Sequence, residues 1–585
     1  MAKMIRSLAV QVLLLATAAR LLRAAPCEVG GSVTDPQGKL VAGATVTLTA
    51  RDSAAAATAT ADGSGQFHFL GVAPGAYSLS AGAAGFVAVS KDVDIAAGQG
   101  SFALQFVKVA AQSDSVVITA KVVEPTVDLR NGEAFNRTLF TRDDQVFEQL
   151  NAGIDVGQHE GGGKSLEVRR FGFNLDHGGV NGGLKVLLDD VQQNQGSQGH
   201  GQGYLGSLKA LSPELIQEVD IVNGPFRAEY GDFSGLGVVH IRQRESLPDE
   251  FTARVEGGNF DTARGFLAFS PASPRADAYI AYEGAYTDGP FLNPERYRRD
   301  NINGNFTRDV SHDRKLGFRI IDGRNDFYSS GQIPLDLVAA GELDRFGYLD
   351  PSDGGRVRLA TVSAYFSQSF SNGDALKLDA FLGRSLFDLF SNFTFFLNDP
   401  INGDAIQQHD SRLQQGANAQ YTHVHKFLGA TATLVAGANF HDNEINVGLY
   451  PRDGRTPTGV TTRSFLHVTN EAAYAQETVS FFQGKLIAGA GLRYDDFRFG
   501  IDDVITPTNS GVEYAGRWQA KGNLAYTPWR TTPLTFTLNY GRGINSADAA
   551  PWRSIRSSRA WRRPISTRLA RRRTTAATVS ASTRS

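Results

Sequence analysis

The chain has a single cysteine in 585 residues, Cys27. One thiol excludes a disulfide framework within the chain and a cysteine-based zinc site. No charge of one sign dominates, since 58 Lys+Arg stand against 60 Asp+Glu. That balance argues against nucleic acid as the partner, because phosphate-binding proteins carry a basic excess. Downstream of the N-terminus no stretch approaches ~18 consecutive apolar residues, which excludes a helical membrane protein. A β-barrel stays open, because its strands show only one apolar face. What the chain does have is glycine, 63 residues, and 10% aromatics. Its length predicts roughly three or four domains.

The N-terminus reads as an export signal over residues 1–25. Lys3 and Arg6 form a charged start, and Leu8 to Ala19 an apolar run. Ala16-Thr17-Ala18 is one possible cleavage motif, although Arg20 and Arg23 follow the run, and Pro26 before Cys27 disfavours a lipoprotein. From 29 to 109, turn signals recur every 8 to 12 residues, at Pro36-Gln37-Gly38, Asp62-Gly63-Ser64-Gly65 and Pro74-Gly75. Alternating segments such as Thr45–Thr49 and Gln66–Leu70 lie between them. This predicts a small β-sandwich. The spacing Gly31-x-Val33-x-Asp35-x-x-Gly38, Gly43-Ala44-x-Val46, Gly65-x-Phe67-x-Phe69 and Pro74-Gly75-x-Tyr77 resembles the carboxypeptidase regulatory-like domain, a transthyretin-like sandwich. The resemblance does not imply hydrolysis, which needs a metal or nucleophile constellation. His68 is the only histidine in this region and reads as an exposed strand residue.

Residues 113–120 form a polar-to-apolar octet, with Ser115, Val116, Val117, Ile118, Thr119 and Ala120 at its end and Pro125 beyond. Alone it is an ordinary strand or linker. Between two modules it resembles the TonB box of outer-membrane receptors, which adds a strand to the sheet edge of an energy-coupling partner.

Residues 125–245 read as a Gly-rich α/β segment. Leu166–Gly172, Leu184–Val191 and Glu218–Val222 are expected strands, Tyr204–Leu211 a short helix, and Ser212-Pro213-Glu214 a helix start. Val186–Val191, the run Glu218 to Gly231 with its Asn223-Gly224-Pro225 turn, and Gly235–Ile241 resemble the plug domain of TonB-dependent receptors. Arg169-Arg170-Phe171-Gly172 departs from the family's arginine-glycine. The loop Gln192–Gly203 offers amides, one imidazole and accessible backbone. Gln192, Gln193, Asn194, Gln195, Gln198, His200, Gln202 and Tyr204 are the candidate ligand contacts; the alternative is a polar loop without a ligand. His159, His177 and His200 lack the tight spacing of metal ligands, and Gly161-Gly162-Gly163-Lys164-Ser165 lacks the full phosphate-loop spacing. No metal, cofactor or catalytic residue is expected.

From 250 the chain alternates. Leu534, Phe536, Leu538 and Tyr540 share a face against Thr535, Thr537 and Asn539. Leu492 and Tyr494 oppose Arg493 and Asp495, and Ile280, Tyr282 and Tyr286 oppose Tyr279 and Glu283. In an outer membrane the apolar face meets lipid and the polar face lines the lumen. Tyr494, Phe497, Phe499 and Tyr540 suit an interfacial girdle. Residues 250–547 allow roughly a dozen strands at ~10 residues each plus loops, short of the 22 that the resemblance implies. After Asp548 alternation is lost, and residues 551–585 carry ten Arg with no Lys or acid. This segment reads as an aberrant, out-of-frame end, with a basic nucleic-acid- or lipid-binding tail as the alternative. The expected fold is mainly β: a transthyretin-like sandwich, an α/β plug and an incomplete antiparallel transmembrane β-barrel. The resemblance implies import of a siderophore, cobalamin or oligosaccharide, with a TonB-type protein and outer-membrane lipid as partners and the first domain in the periplasm. A non-transporting binding or adhesion protein, an inactive receptor fragment and a metallopeptidase fragment are the rival readings.

Overall fold

A computed structural model describes residues 27–106 with short gaps, the strands at 126–129, 154–158 and 164–168, then 184–197, 209–528 save three single residues, 534–544, 546 and 575–583. The proposed signal peptide, the 113–120 octet, and His159, His177 and His200 lie outside the described residues. The chain divides into two compact units, 1–117 and 118–585.

The first unit is the expected sandwich. Its strands are β1 (Cys27–Thr34), β2 (Thr45–Ala50), β3 (Ala56–Thr60), β4 (Gln66–Val72), β5 (Gly75–Gly82), β6 (Val89–Ile95) and β7 (Gln99–Gln105). One sheet runs β4-β1-β7, with β7 parallel to β1, and the other runs β3-β2-β5-β6. Alternation puts Phe67 and Phe69 into a core with Val33, Val46, Leu48 and Leu79, leaving His68 outside. The turn before β4 closes because the Asp62 carboxylate accepts the Ser64 and Gln66 amides at 2.8 and 3.0 Å.

The second unit begins with β8 (Thr126–Leu129), β9 (Ile154–Gln158), β10 (Lys164–Val168), β11 (Leu184–Leu188), β12 (Val191–Gln192), β13 (Ile216–Asn223) and β14 (Gly237–Gln243). Five of them form a sheet in the order β12-β11-β14-β13-β8, in which β11 and β14 are parallel. The strand expected over Leu184–Val191 is instead a hairpin. Asp189 and Asp190 both take positive φ, 48° and 70°, which turns the chain in the sense that suits strand twist. The expected helix start is one 3₁₀ turn, Pro213–Leu215, and Ser212 makes no cap. Val186, Leu188, Val219, Ile221, Val239 and Ile241 form the core of this sheet.

Around it stands one antiparallel wall: β15 (Phe251–Gly257), β16 (Ala263–Phe269), β17 (Ala276–Thr287), β18 (Tyr297–Ser311), β19 (Arg314–Tyr328), β20 (Gly354–Ser369), β21 (Ala375–Ser391), β22 (Ile406–Phe427), β23 (Ala430–Asp453), β24 (Thr456–Pro457), β25 (Thr462–Phe481), β26 (Leu486–Asp503), β27 (Gly511–Tyr526), β28 (Leu534–Arg542) and β29 (Thr575–Thr583). Each pairs with its neighbour in sequence, except that β24 only extends β23 and β25 pairs with β23. Among the described residues the ends, β15 and β29, do not pair with each other. The expectation that strand structure stops by 547 is corrected by β29, which pairs antiparallel with β28 from Leu534↔Thr583 to Arg542↔Thr575. Uncharged and rich in β-branched residues, that stretch suits a strand.

The wall is apolar outside and polar inside. Ile280, Tyr282, Leu492, Phe536, Leu538 and Tyr540 are exposed, whereas Glu283, Arg493, Asp495, Thr535 and Asn539 are buried on the inner face. Phe497 and Phe499 do not join an outer girdle. They follow Arg493 and Asp495 at the period of two, so they point inward and stack at 5.7 Å against Ile445, Leu466 and Ile501. At one end of the wall the connections are short, as at 370–374 and 428–429. At the other they are long, as at 329–353, which carries helix α1 (Leu335–Ala340), and 392–405.

Candidate functional site

The site is the seam between the five-stranded sheet and the inner face of the wall, together with the loop that leaves β12. The β11–β12 turn anchors the seam at the short-turn end. Asp189 Oδ1 accepts the Gln243 amide at 2.9 Å and lies 2.7 Å from Arg319 Nη1. Asp190 is paired with Lys377, two residues from the start of β21, and lies 3.5 Å from His240 Nε2. Burial raises the Asp189 pKa, whereas Lys377, His240 and Arg242 overcome burial and hold Asp190 well below the usual carboxylate range.

A second anchor is the Pro213 turn. The Ser212 hydroxyl donates to Glu283 Oε2 at 2.6 Å. Glu214 accepts from Arg254 at 2.8 Å and from both terminal nitrogens of Arg264, while Arg264 Nε reaches Glu283 at 2.6 Å. Asn301 and Asn303 donate to the Lys209 and Ala210 carbonyls. Buried charges are stable only when paired and fully bonded, and here plug and wall supply each other's partners.

The third anchor is the segment after Asn223-Gly224-Pro225. Arg493 Nη1 donates to the Glu229 carbonyl at 3.0 Å, and its Nε and Nη2 reach Asp495. Gln476 accepts the Ala228 amide at 2.8 Å, and Asn523 donates to the Phe226 carbonyl at 3.1 Å. A Cβ on Gly231 would lie 2.4 Å from the Arg493 guanidinium, and one on Gly541 would lie 2.2 Å from the Pro225 carbonyl oxygen. Close approach explains why the Gly-Pro and Tyr-Gly motif stands where it does. Near it, burial and Arg493 push Lys185 down to about 8, opposed by Asp232 and Asp495, while burial pushes Asp232 up to about 6.

Of the eight candidate contacts on the loop, Gln192, Gln193, Asn194 and Gln195 are described; Gln198, His200, Gln202 and Tyr204 lie outside the described residues. Asn194 acts as a false strand residue, accepting the Val186 amide at 2.6 Å and donating to the Leu184 carbonyl at 2.9 Å. Gln193 donates to the Val191 carbonyl and Gln192 to the Asn194 carbonyl. Gln195 donates to Ser385 Oγ at 3.3 Å, and the Gly196 carbonyl accepts from Arg412 at 3.0 Å. Those wall residues lie ten and fifteen residues from the short-turn ends of β21 and β22. The loop therefore climbs toward the long-loop mouth. Its first half holds the plug to itself and to the wall. Of the wall residues in the seam, Glu283, Arg493 and Asp495 were already placed on the polar face by alternation, whereas Arg254, Arg264, Arg319 and Gln476 were not singled out from sequence.

Residues 28–126 match the carboxypeptidase regulatory-like domain, 126–238 the TonB-dependent receptor plug domain, and 243–560 the TonB dependent receptor-like β-barrel. Among solved structures, the chain resembles the ferric citrate transporter FecA in its unliganded form, at 15% identity and a TM-score of 0.59, over 72% of this chain and 63% of that one. It also resembles the ferripyoverdine receptor of the outer membrane of Pseudomonas aeruginosa, bound to ferripyoverdine, at 14% identity and a TM-score of 0.57, over 77% and 62%. The copper transporter OprC matches at 13% identity and a TM-score of 0.55, over 72% and 64%. At such identities the likeness is one of fold, and this chain spans less than two thirds of each of these structures.

Proposed function

Because the chain belongs to the TonB-dependent receptors, we propose that it takes part in energy-coupled uptake of a bulky, scarce ligand across the outer membrane. The observation that carries this reading is the plug itself. A five-stranded sheet sits against a polar inner wall through bonds between paired side chains, while the outer face of the wall is apolar. Such a seam holds a plug in place at rest and yields to a directed pull, because its ion pairs can be replaced by water once parted. Ser115 to Ala120 is the segment on which a periplasmic energy-coupling protein would pull by adding it as a strand. Energy then enters through protein contact, and no nucleotide site is needed.

Ligand contact falls to the part of the loop after Gln195, with Gln198, His200, Gln202 and Tyr204, and to the long connections of the wall. The structures it resembles include a ferric citrate transporter, a ferripyoverdine receptor and a copper transporter; a ferric siderophore heads the ligands to be tried, followed by cobalamin and oligosaccharide. The test is uptake of each labelled ligand by cells whose own receptors are deleted, with the full chain and with residues 115–120 removed. Transport requires that one ligand accumulates and that the deletion abolishes accumulation while surface binding persists. Binding without accumulation in both would make this an outer-membrane binding protein instead.

A further inference from the structure

We propose that the outward face of β19–β21 carries a docking row for the phosphate groups of an outer-leaflet lipid headgroup, formed by Arg324, Arg358 and Arg384. The proposal rests on the outer-membrane reading but not on transport. Register places Arg324 of β19 directly opposite Arg358 of β20, and Arg384 of β21 opposite Ala360, diagonal to Arg358. All three are exposed. Arg324 lies ten residues after Arg314 at the short-turn end of β19, Arg358 eleven before Ser369 at that end of β20, and Arg384 nine after Ala375 at that end of β21. At ~3.3 Å per residue and a tilt of about 40°, ten residues climb about 25 Å, the height of the outward apolar band of an outer-membrane barrel. Ile320, Val362 and Leu382, exposed on the same face, lie next beneath Arg384 and, beyond Asp322 and Ala360, beneath Arg324 and Arg358. The three guanidiniums thus stand where hydrocarbon gives way to headgroups on the long-loop side.

The arrangement is not explained by bonds within the chain. Like charges directly opposite on neighbouring strands destabilise a sheet. Arg358 has Arg324 on one side and Leu386 on the other, and among the described residues it makes no hydrogen bond or ion pair. Arg384 donates to Ser411 Oγ at 2.7 Å, a neutral partner. Asp300 of β18 stands directly opposite Arg324 but is approached only to 4.0 Å, and it is already held by Arg298 at 2.9 Å and Tyr282 at 2.7 Å, which leaves Arg358 without a carboxylate opposite it on either side. Asp322, exposed opposite Ala360, is the other carboxylate at this level. One step further from the membrane the pattern differs. Arg298, Asp326, Arg356 and Asp388 face one another across four strands with alternating sign, so that row is internally compensated. The break in alternation is therefore confined to the level of the headgroups. Guanidiniums grip phosphate oxygens in forked pairs, and a phosphate between Arg324 and Arg358 turns the repulsion into attraction. A lipid fits better than a free anion because its acyl chains would lie on Ile320, Val362 and Leu382.

The test uses the full chain, reconstituted in phosphatidylcholine vesicles doped with bisphosphorylated lipid A and then taken into detergent, with retained lipid read by native mass spectrometry. The wild type should retain the bisphosphorylated form and not its dephosphorylated counterpart. Arg324→Gln/Arg358→Gln should weaken retention about thirtyfold, the factor two cations are worth at an anionic lipid surface. Arg324→Lys/Arg358→Lys, which keeps both charges, should recover part of it and serves as the folding control. Equal retention by wild type and the glutamine variant, or equal retention with and without the phosphates, overturns the proposal. Full displacement by inorganic phosphate also overturns it, because the row would then bind the ion alone. Loss of ligand uptake with lipid retention intact would count against transport and leave this row standing.

Discussion

His240 shows how a single buried group ties the plug to pH. It lies on β14 with neither ring nitrogen hydrogen-bonded, facing Asp190, Arg242, Arg227 and Lys377. Burial and the Arg242 charge hold its pKa down to about 3. Between about 3 and the ordinary value near 6.5 the unfolded chain binds a proton that the folded one refuses, so stability rises with pH across that window and is lost on acidification. Asp232, pushed up to about 6, acts the other way between about 4 and 6. The wider His240 shift prevails, and the plug should loosen in acid. Urea midpoints at about pH 5 and about pH 7.5 check this: His240→Leu should reverse the sign of the difference, because the opposing Asp232 contribution is left alone, and Asp232→Asn should widen it. Gly541 is a residue of the opposite kind, legible only in three dimensions. Gly541→Ala sets a Cβ against the Pro225 carbonyl oxygen, backbone that cannot step aside. It should cost about 1–3 kcal/mol in urea unfolding, the usual penalty of overpacking.

Among elements, the β11–β12 hairpin and the 392–405 connection show why turns escaped the sequence. Leu184–Val191 read as one strand because Asp189-Asp190 is a weak turn signal beside Asn-Gly. Positive φ at two aspartates persists here because Arg319, Lys377 and the Gln243 amide hold their carboxylates, partners 54 to 187 residues away. In the 392–405 connection the Asp404 carboxylate accepts from Thr394 Oγ1 at 2.7 Å, the Asp399 amide at 2.7 Å and the Asn398 amide at 2.9 Å. Those bonds hold its pKa down at about 2. They keep Phe396, Leu397 and Ile401 displayed to solvent on a fixed frame. Asp404→Ala should release that frame, and chymotrypsin should then cut at Phe395 or Phe396 several times faster while the wall strands stay protected; an unchanged rate would mean the other loop bonds suffice.

At the scale of the whole molecule, the inside-out wall makes its own prediction. Ile320→Arg, on the outer face six residues from the short-turn end of β19, should cost about 2–4 kcal/mol of folding stability in vesicles. An arginine tolerated there would mean that this face does not meet lipid. The alternation of Leu534 to Tyr540 and of Leu492 to Asp495 was enough, by itself, to sort side chains into two faces, since a strand offers only two directions. Sequence spacing likewise determined the sandwich, and the motif from Glu218 to Gly231 marked the plug. The same period of two, carried on from Arg493 and Asp495, also turns Phe497 and Phe499 inward; what it did not determine is that Ile445 and Leu466 of other strands receive them. Nor could it join Arg493 to Glu229, Glu283 to Ser212, or Arg324 to Arg358. The first two depend on the closing of plug against wall, and the third on the register of β19 against β20, neither of which is carried by a local stretch of sequence.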